Sequence, residues 1–183
     1  MDNGASSYRR FLDGDDNAFD EILKEYRNGL IFFINRYVRN VDVAEDIAID
    51  VFVQLLVHRH RYNFKTSLKT YLYMMGRSRA LDYLRRKKRF RMVELSEAEA
   101  DMADEESLEH TVVDNERKRL VNDAIWKLPD EMRVAIHLVY FENLTYEETA
   151  KVMKKNRKQV DNLLYRAKGM LREIIGEEGR ELI

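Results

Sequence analysis

Leu144-Thr145-Tyr146-Glu147-Glu148-Thr149-Ala150 and Arg157-Lys158-Gln159-Val160-Asp161-Asn162-Leu163-Leu164-Tyr165-Arg166-Ala167-Lys168 read as two helices with a tight turn between them. Thr145 and Glu148 have the spacing of a capping box, in which each side chain satisfies the other residue's free backbone N–H. A short helix follows and ends near Met153. The next runs from about Arg157 to Ile175. On it Val160, Leu163, Leu164, Ala167 and Leu171 share one face at 3.6 residues per turn, and that face is expected in a core. Lys158, Asn162, Tyr165 and Arg166 lie opposite, with Arg157 and Gln159 at the start. Arginine and lysine pair with guanine O6 and N7, and glutamine or asparagine with adenine. A helix start also favours a nearby phosphate. An ordinary surface helix would carry polar outer residues too. The succession of capping box, short helix, brief turn and basic second helix favours a helix-turn-helix that reads a major groove.

Working outward, Pro129 suits the first turn of a helix, where a missing N–H is harmless. Val134, Ala135, Leu138, Val139 and Phe141 form that helix's expected core face. Before it, a helix is expected from near Glu105 to Leu128. At the other end of the chain, Phe19, Ile22, Leu23, Tyr26, Leu30, Phe33, Ile34 and Tyr37 recur at helical steps over residues 15–40, with Asp15 or Asp16 as cap. A second helix starts near Asp42, with Val43, Ile47, Val51, Leu55 and Leu56 on one stripe, and continues to about Arg59. Asn63-Phe64-Lys65-Thr66-Ser67 breaks the pattern. Thr66 or Ser67 can cap a third helix from Leu68 to about Arg89. No useful strand-like alternation occurs. With one proline and seven glycines, the class is all-α. Two small helical domains are expected, at 1–92 and 114–183, joined by an acidic linker at 93–113.

Charge is segregated although the net charge is only −1. Arg59 to Arg91 holds twelve Lys/Arg and one acid, Asp82. Glu94 to Glu116 holds ten acids and no Lys/Arg, and Lys151 to Arg172 holds eight Lys/Arg and one acid, Asp161. Two basic blocks around an acidic one suggest two surfaces that face polyanions. In the first block, Tyr62, Phe64, Tyr71 and Tyr73 lie near the run Arg85-Arg86-Lys87-Lys88-Arg89. Cations that track a backbone, beside aromatics that receive unstacked bases, suit single-stranded DNA. At least one of Tyr71 and Tyr73 is expected in the core instead.

The remaining composition narrows the function. The chain has no cysteine, hence no disulfide and no thiolate metal site. Its first residues lack a secretion pattern, and Leu30-Ile31-Phe32-Phe33-Ile34 is too short to span a bilayer, so a cytoplasmic protein is expected. His58 and His60 are two apart and cannot share a helix face. Neither they nor His110 and His137 sit in a metal-ligand pattern, and no phosphate loop or nucleophile elbow is present. No catalytic residue, metal or cofactor is expected. A duplex-binding regulator with an N-terminal sensor or dimerisation domain is the competing class. The Phe64–Lys88 block speaks against it, because a sensor needs no second basic surface with aromatics.

These motifs together resemble the bacterial RNA polymerase sigma factors of the extracytoplasmic-function group, within the sigma-seventy superfamily. Ala44-Glu45-Asp46-Ile47-Ala48-Ile49-Asp50-Val51-Phe52 resembles region 2.2. Phe64-Lys65-Thr66, Tyr71-Leu72-Tyr73 and Ala80-Leu81-Asp82-Tyr83-Leu84-Arg85-Arg86 resemble regions 2.3 and 2.4. Leu128-Pro129, Tyr146-Glu147-Glu148-Thr149-Ala150 and Val160 to Ala167 resemble region 4. The resemblance implies promoter recognition and melting with core RNA polymerase. Asp46, Asp50, Phe52 and Gln54 would dock on the β′ clamp helices, and the β flap is a further expected contact. Asn63, Phe64 and Lys65 would hold a flipped base of the minus-ten element. Arg77, Ser78, Arg85, Arg86 and Lys87 would line the same DNA. Tyr146, Arg157, Lys158, Gln159, Asn162 and Arg166 would read the minus-thirty-five element. An anti-sigma factor is the expected inhibitor. Departures are local. Ser78 and Ile49 stand where many members have asparagine and glutamine. The turn Met153-Lys154-Lys155-Asn156 lacks glycine, leaving Asn156 as the expected left-handed residue. The recognition helix starts Arg157-Lys158-Gln159 rather than with the common pattern, so the target sequence does not transfer.

Overall fold

The computed structural model describes residues 4–94 and 116–176, which fall into two helical units divided between Leu108 and Glu109. No strand occurs among the described residues, and none of their helices is long and apolar enough to cross a membrane.

The first unit is built from α1 (Ala5–Leu12), α2 (Asp16–Val38), α3 (Val41–Val57) and α4 (Leu68–Glu94), with a single 3₁₀ turn at Arg59–Arg61. Asp15 caps α2 by accepting from the Asn17 N–H at 3.1 Å, and Asn40 caps α3 by accepting from the Val43 N–H at 2.9 Å. Arg39, at φ 55°, reverses the chain between them. Ser67 caps α4 through the Thr70 N–H. α2 packs on the other three helices. Its Ile22, Leu30, Phe33 and Ile34 meet a core that also holds Val51, Leu55, Leu68, Leu72 and Tyr73, all fully or nearly fully buried. Each such aliphatic or phenyl group contributes roughly 1.5–3 kcal/mol by leaving water.

The sequence pattern gives no sign of α1. That helix starts at Gly4, whose φ of 75° suits glycine, and it buries Tyr8 and Phe11. α4 also runs five residues beyond Arg89. The apolar stripe ends there but nothing in Phe90–Glu94 breaks a helix, and each added residue gains a backbone bond. Residues 93 and 94 of the expected linker therefore belong to α4, and the rest of it, with the helix expected to begin at Glu105, lies outside the described residues as far as Asn115.

The second unit holds α5 (Glu116–Trp126), α6 (Asp130–Ile136), α7 (Tyr146–Met153) and α8 (Arg157–Ile175). α8 packs on the other three. Pro129 immediately precedes α6. After α6 the chain takes one wide π-type turn, His137–Phe141, in which the Glu142 N–H donates to the His137 carbonyl at 3.1 Å. The extra residue rotates the register. His137 and Leu138 stay buried, while Tyr140 and Phe141 swing outward, so Phe141 is half-exposed rather than part of the core face. His137 stacks on Phe141 with ring centroids 5.5 Å apart and lies 3.3 Å from the Glu142 carboxylate.

Candidate nucleic-acid and polymerase interfaces

In the second unit both helices of the expected motif are capped reciprocally. The Thr145 hydroxyl accepts from the Glu148 N–H, and Glu148 accepts from the Thr145 N–H at 3.0 Å. A second box joins it, beyond the sequence expectation: Asn156 accepts from the Gln159 N–H at 2.8 Å and Gln159 accepts from the Asn156 N–H at 2.9 Å. Asn156 is therefore extended, and Lys154 at φ 55° makes the left-handed reversal instead. A left-handed lysine costs about 1–2 kcal/mol. The Lys155 N–H, donating to the Ala150 carbonyl at 2.9 Å, partly offsets this.

The capped turn sets the orientation of α8. Val160, Leu164, Ala167 and Leu171 are buried. Arg157, Lys158, Gln159, Asn162, Tyr165 and Arg166 are all exposed, and Tyr146 is half-buried at the start of α7. Arg157 Nε lies 3.2 Å from a Glu147 carboxylate oxygen, with both side chains largely in solvent. Such a pair is worth about 0–1 kcal/mol and yields readily to a stronger acceptor. Gln159 is different. Its carbonyl oxygen is held by the helix cap, so the two-point pairing with adenine expected from sequence competes with that cap.

In the first unit α3 is apolar on nearly every side. Phe52 is 5% exposed and packs inside its own bundle, so it supports the helix and offers little surface to a partner. Leu56, assigned to the core stripe from sequence, is 46% exposed. With Ile49, Val53 and Val57 it forms an outward apolar stripe at helical spacing, which the sequence reading missed. The signal was available: a helix this apolar must either be enclosed or meet a partner. Asp46 and Asp50 are exposed, while Gln54 is half-buried. Asp46, Ile49 and Asp50 form one wall of a groove whose other wall is Arg79, Tyr83 and Arg86 of α4. Residues assigned to two different partners thus border one groove.

Further along α4, Ser78, Arg85, Arg86 and Lys87 are exposed and Arg77 is half-buried. Arg85 pairs with Asp82 at 2.8 Å on the surface. The aromatics divide: Tyr73 is fully buried and Tyr62 nearly so, whereas Tyr71 and Phe64 are half-buried. Between α3 and α4 the loop is held from within. Asn63 Oδ1 accepts from the Lys65 N–H at 3.1 Å, and the Tyr62 hydroxyl donates to the Thr66 carbonyl at 2.5 Å. Phe64, at the tip, has φ 60°. A bulky residue held there is strained by about 1–3 kcal/mol, a condition that persists only where surroundings over-determine it. Burial, with Tyr71 and Tyr62 nearby, pushes the Tyr8 hydroxyl up to about 12 against an opposing Arg59, so it remains a neutral donor. No cluster of His, Asp and Glu suited to a metal occurs among the described residues.

Family comparisons match this arrangement in order along the chain. The Sigma-70 region 2 family covers residues 22–90 and the Sigma-70 region 4 family residues 118–171. The sigma factor SigM of Bacillus subtilis is 25% identical over 157 residues, spanning 86% of this chain and 94% of SigM. The sigma-H factor of Pseudomonas aeruginosa is 28% identical over 165 residues, spanning 85% and 84%. Among solved structures, RpoE of Bartonella quintana, in complex with the anti-sigma factor NepR, superposes with a TM-score of 0.65 at 19% identity over 86% of this chain and 96% of RpoE. CnrH, in complex with the cytosolic domain of CnrY, gives 0.62 at 16% identity over 94% of both chains. These structures share the all-helical fold. With both family regions present in sequence, the chain belongs to the sigma-70 family of RNA polymerase sigma factors, in its extracytoplasmic-function group.

Proposed function

We propose that the chain is a dissociable, non-catalytic promoter-recognition subunit of RNA polymerase, acting in the cytoplasm, with its surfaces divided as follows. Ile49, Val53, Leu56 and Val57, flanked by Asp46 and Asp50, dock on core polymerase. Asn63, Phe64 and Lys65 capture a base of the minus-ten element. Arg77, Ser78, Arg85, Arg86 and Lys87 hold the strand's backbone. Tyr146, Arg157, Lys158, Asn162 and Arg166 face the minus-thirty-five element, while Gln159 chiefly holds the helix start. A linker over 95–113 joins domains at 1–94 and 114–183. The observation that carries this reading is the pairing of an acid-flanked apolar stripe with a strained, cation-lined loop in one unit, and a doubly capped helix-turn-helix in the other. An anti-sigma factor is the natural inhibitor, as NepR and CnrY partner RpoE and CnrH in their complexes.

Two tests follow from the assignment. In titrations with core polymerase, Val53→Asp should weaken binding at least tenfold, because it places a charge in an apolar contact. Asp50→Arg should weaken it less, since rim charges contribute little. Unchanged core affinity with a native helical spectrum would remove α3 from the interface. Separately, Arg157→Ala should lower affinity for the upstream element by roughly 1–3 kcal/mol and relax preference at one base pair. An equal loss on all upstream sequences would make Arg157 a phosphate contact.

A further inference from the structure

The helix that sequence patterning overlooks, α1, touches the minus-ten loop at three points. Tyr8 is fully buried, and its hydroxyl donates to the Arg59 carbonyl at 2.7 Å, at the loop's approach. Its ring meets Tyr62 edge-on at 5.2 Å and Phe64 at 6.1 Å. One residue later, the exposed Arg9 places its guanidinium 5.0 Å above the Phe64 ring. Tyr62 and Phe64 are tilted against each other in turn, with ring centroids 4.7 Å apart. Without α1, the ring at the loop tip would lose Tyr8 from one side and Arg9 from another. The Asn63–Lys65 turn and the Tyr62 ring would remain to hold its left-handed backbone. An isolated phenylalanine relaxes from that conformation.

We propose that α1 is a positioning element for base capture, in which Tyr8 and Arg9 hold Phe64, and through it the loop at 63–65, in the conformation that accepts an unstacked base of single-stranded DNA. This rests on the reading of that loop as the base-capturing one. Arg9 acts on the base through Phe64 and is a positioning residue. A cation over a ring suits such a role, because it is attracted to the face yet leaves the ring edge open.

The test uses the full chain saturated with core polymerase and fluorescent single strands carrying the minus-ten sequence, intact or with one abasic site at each position in turn. For the wild type, one position should show an abasic loss of about tenfold or more, as expected for a stacked base. Arg9→Ala should bind the intact strand several-fold more weakly, yet match the wild type on the strand abasic at that position. Arg9→Lys should recover part of the loss, and Tyr8→Phe, which keeps the ring, should show a smaller effect of the same pattern. Were no position sensitive in the wild type, the base-capture reading itself would fall. If the wild type is sensitive and Arg9→Ala retains the same abasic penalty, that reading stands and the role of α1 is wrong. An equal loss on every strand would make Arg9 a backbone contact and overturn the proposal as well.

Discussion

Arg133→Ala should unfold the second unit at 37 °C while leaving the first intact. Arg133 is fully buried. One guanidinium nitrogen donates to the Trp126 carbonyl at 3.1 Å and the Leu128 carbonyl at 3.2 Å. The other pairs with Asp130, and the group lies 4.9 Å above the Trp126 ring. It therefore bridges the α5–α6 corner through two carbonyls and an aromatic ring. Alanine leaves two carbonyls without this donor, each at about 1–3 kcal/mol when buried, and opens a cavity beside the indole. The combined loss is about 4 kcal/mol, whereas a helical unit of this size commonly holds only about 3–5 kcal/mol. Asp130→Asn should cost much less, because that carboxylate is 67% exposed. Trp126 is the only tryptophan, so its emission monitors this unit alone. A midpoint for Arg133→Ala within a few degrees of wild type would show that the corner does not depend on it.

Gly76→Val should destabilise the first unit by about 3 kcal/mol. A Cβ at Gly76 would stand 2.9 Å from Leu30 Cδ1 and 3.3 Å from Ile34 Cγ1. Both neighbours are fully buried in α2, so neither can swing into solvent. Over-packing of a tight core costs roughly 1–3 kcal/mol per insertion, and valine adds two methyl groups beyond the Cβ. Alanine is a different case. Its helix preference over glycine, about 1 kcal/mol, opposes the milder clash. Gly76→Ala should thus remain within about 1 kcal/mol of wild type. In thermal melts followed by helical signal, the valine variant should lose at least about 12 °C. Equal midpoints for glycine and valine would mean that α2 and α4 can part without loss.

What the sequence discloses follows strong periodicity. α2 and α8 carry long stripes between good caps, so their extents and buried faces are legible. The Thr145–Glu148 box is legible because it is local chemistry. Failures come where tertiary packing or an irregular turn decides the outcome. α1 is short, and Tyr8 and Phe11 mean little until α2 and the loop between α3 and α4 are in place. Phe141 leaves the core face because a π-type turn changes the period within the helix. Asn156 departs from expectation because its side chain has two local uses, and capping α8 prevails over making the reversal. Phe52 and Val53 are adjacent and both apolar, so composition does not say which faces the core. The surface stripe on α3 emerges only after that choice is made.

The reciprocal Asn156–Gln159 bond also constrains how such a protein can diverge. On the proposed reading, position 159 lies where new target preferences would be acquired, yet any residue unable to return the bond frays the very helix that must present it. Exploration of new promoters at this site is therefore channelled. Substitutions that keep a carboxamide or carboxylate at 159 are readily accessible, while others require a prior stabilising change elsewhere in the unit.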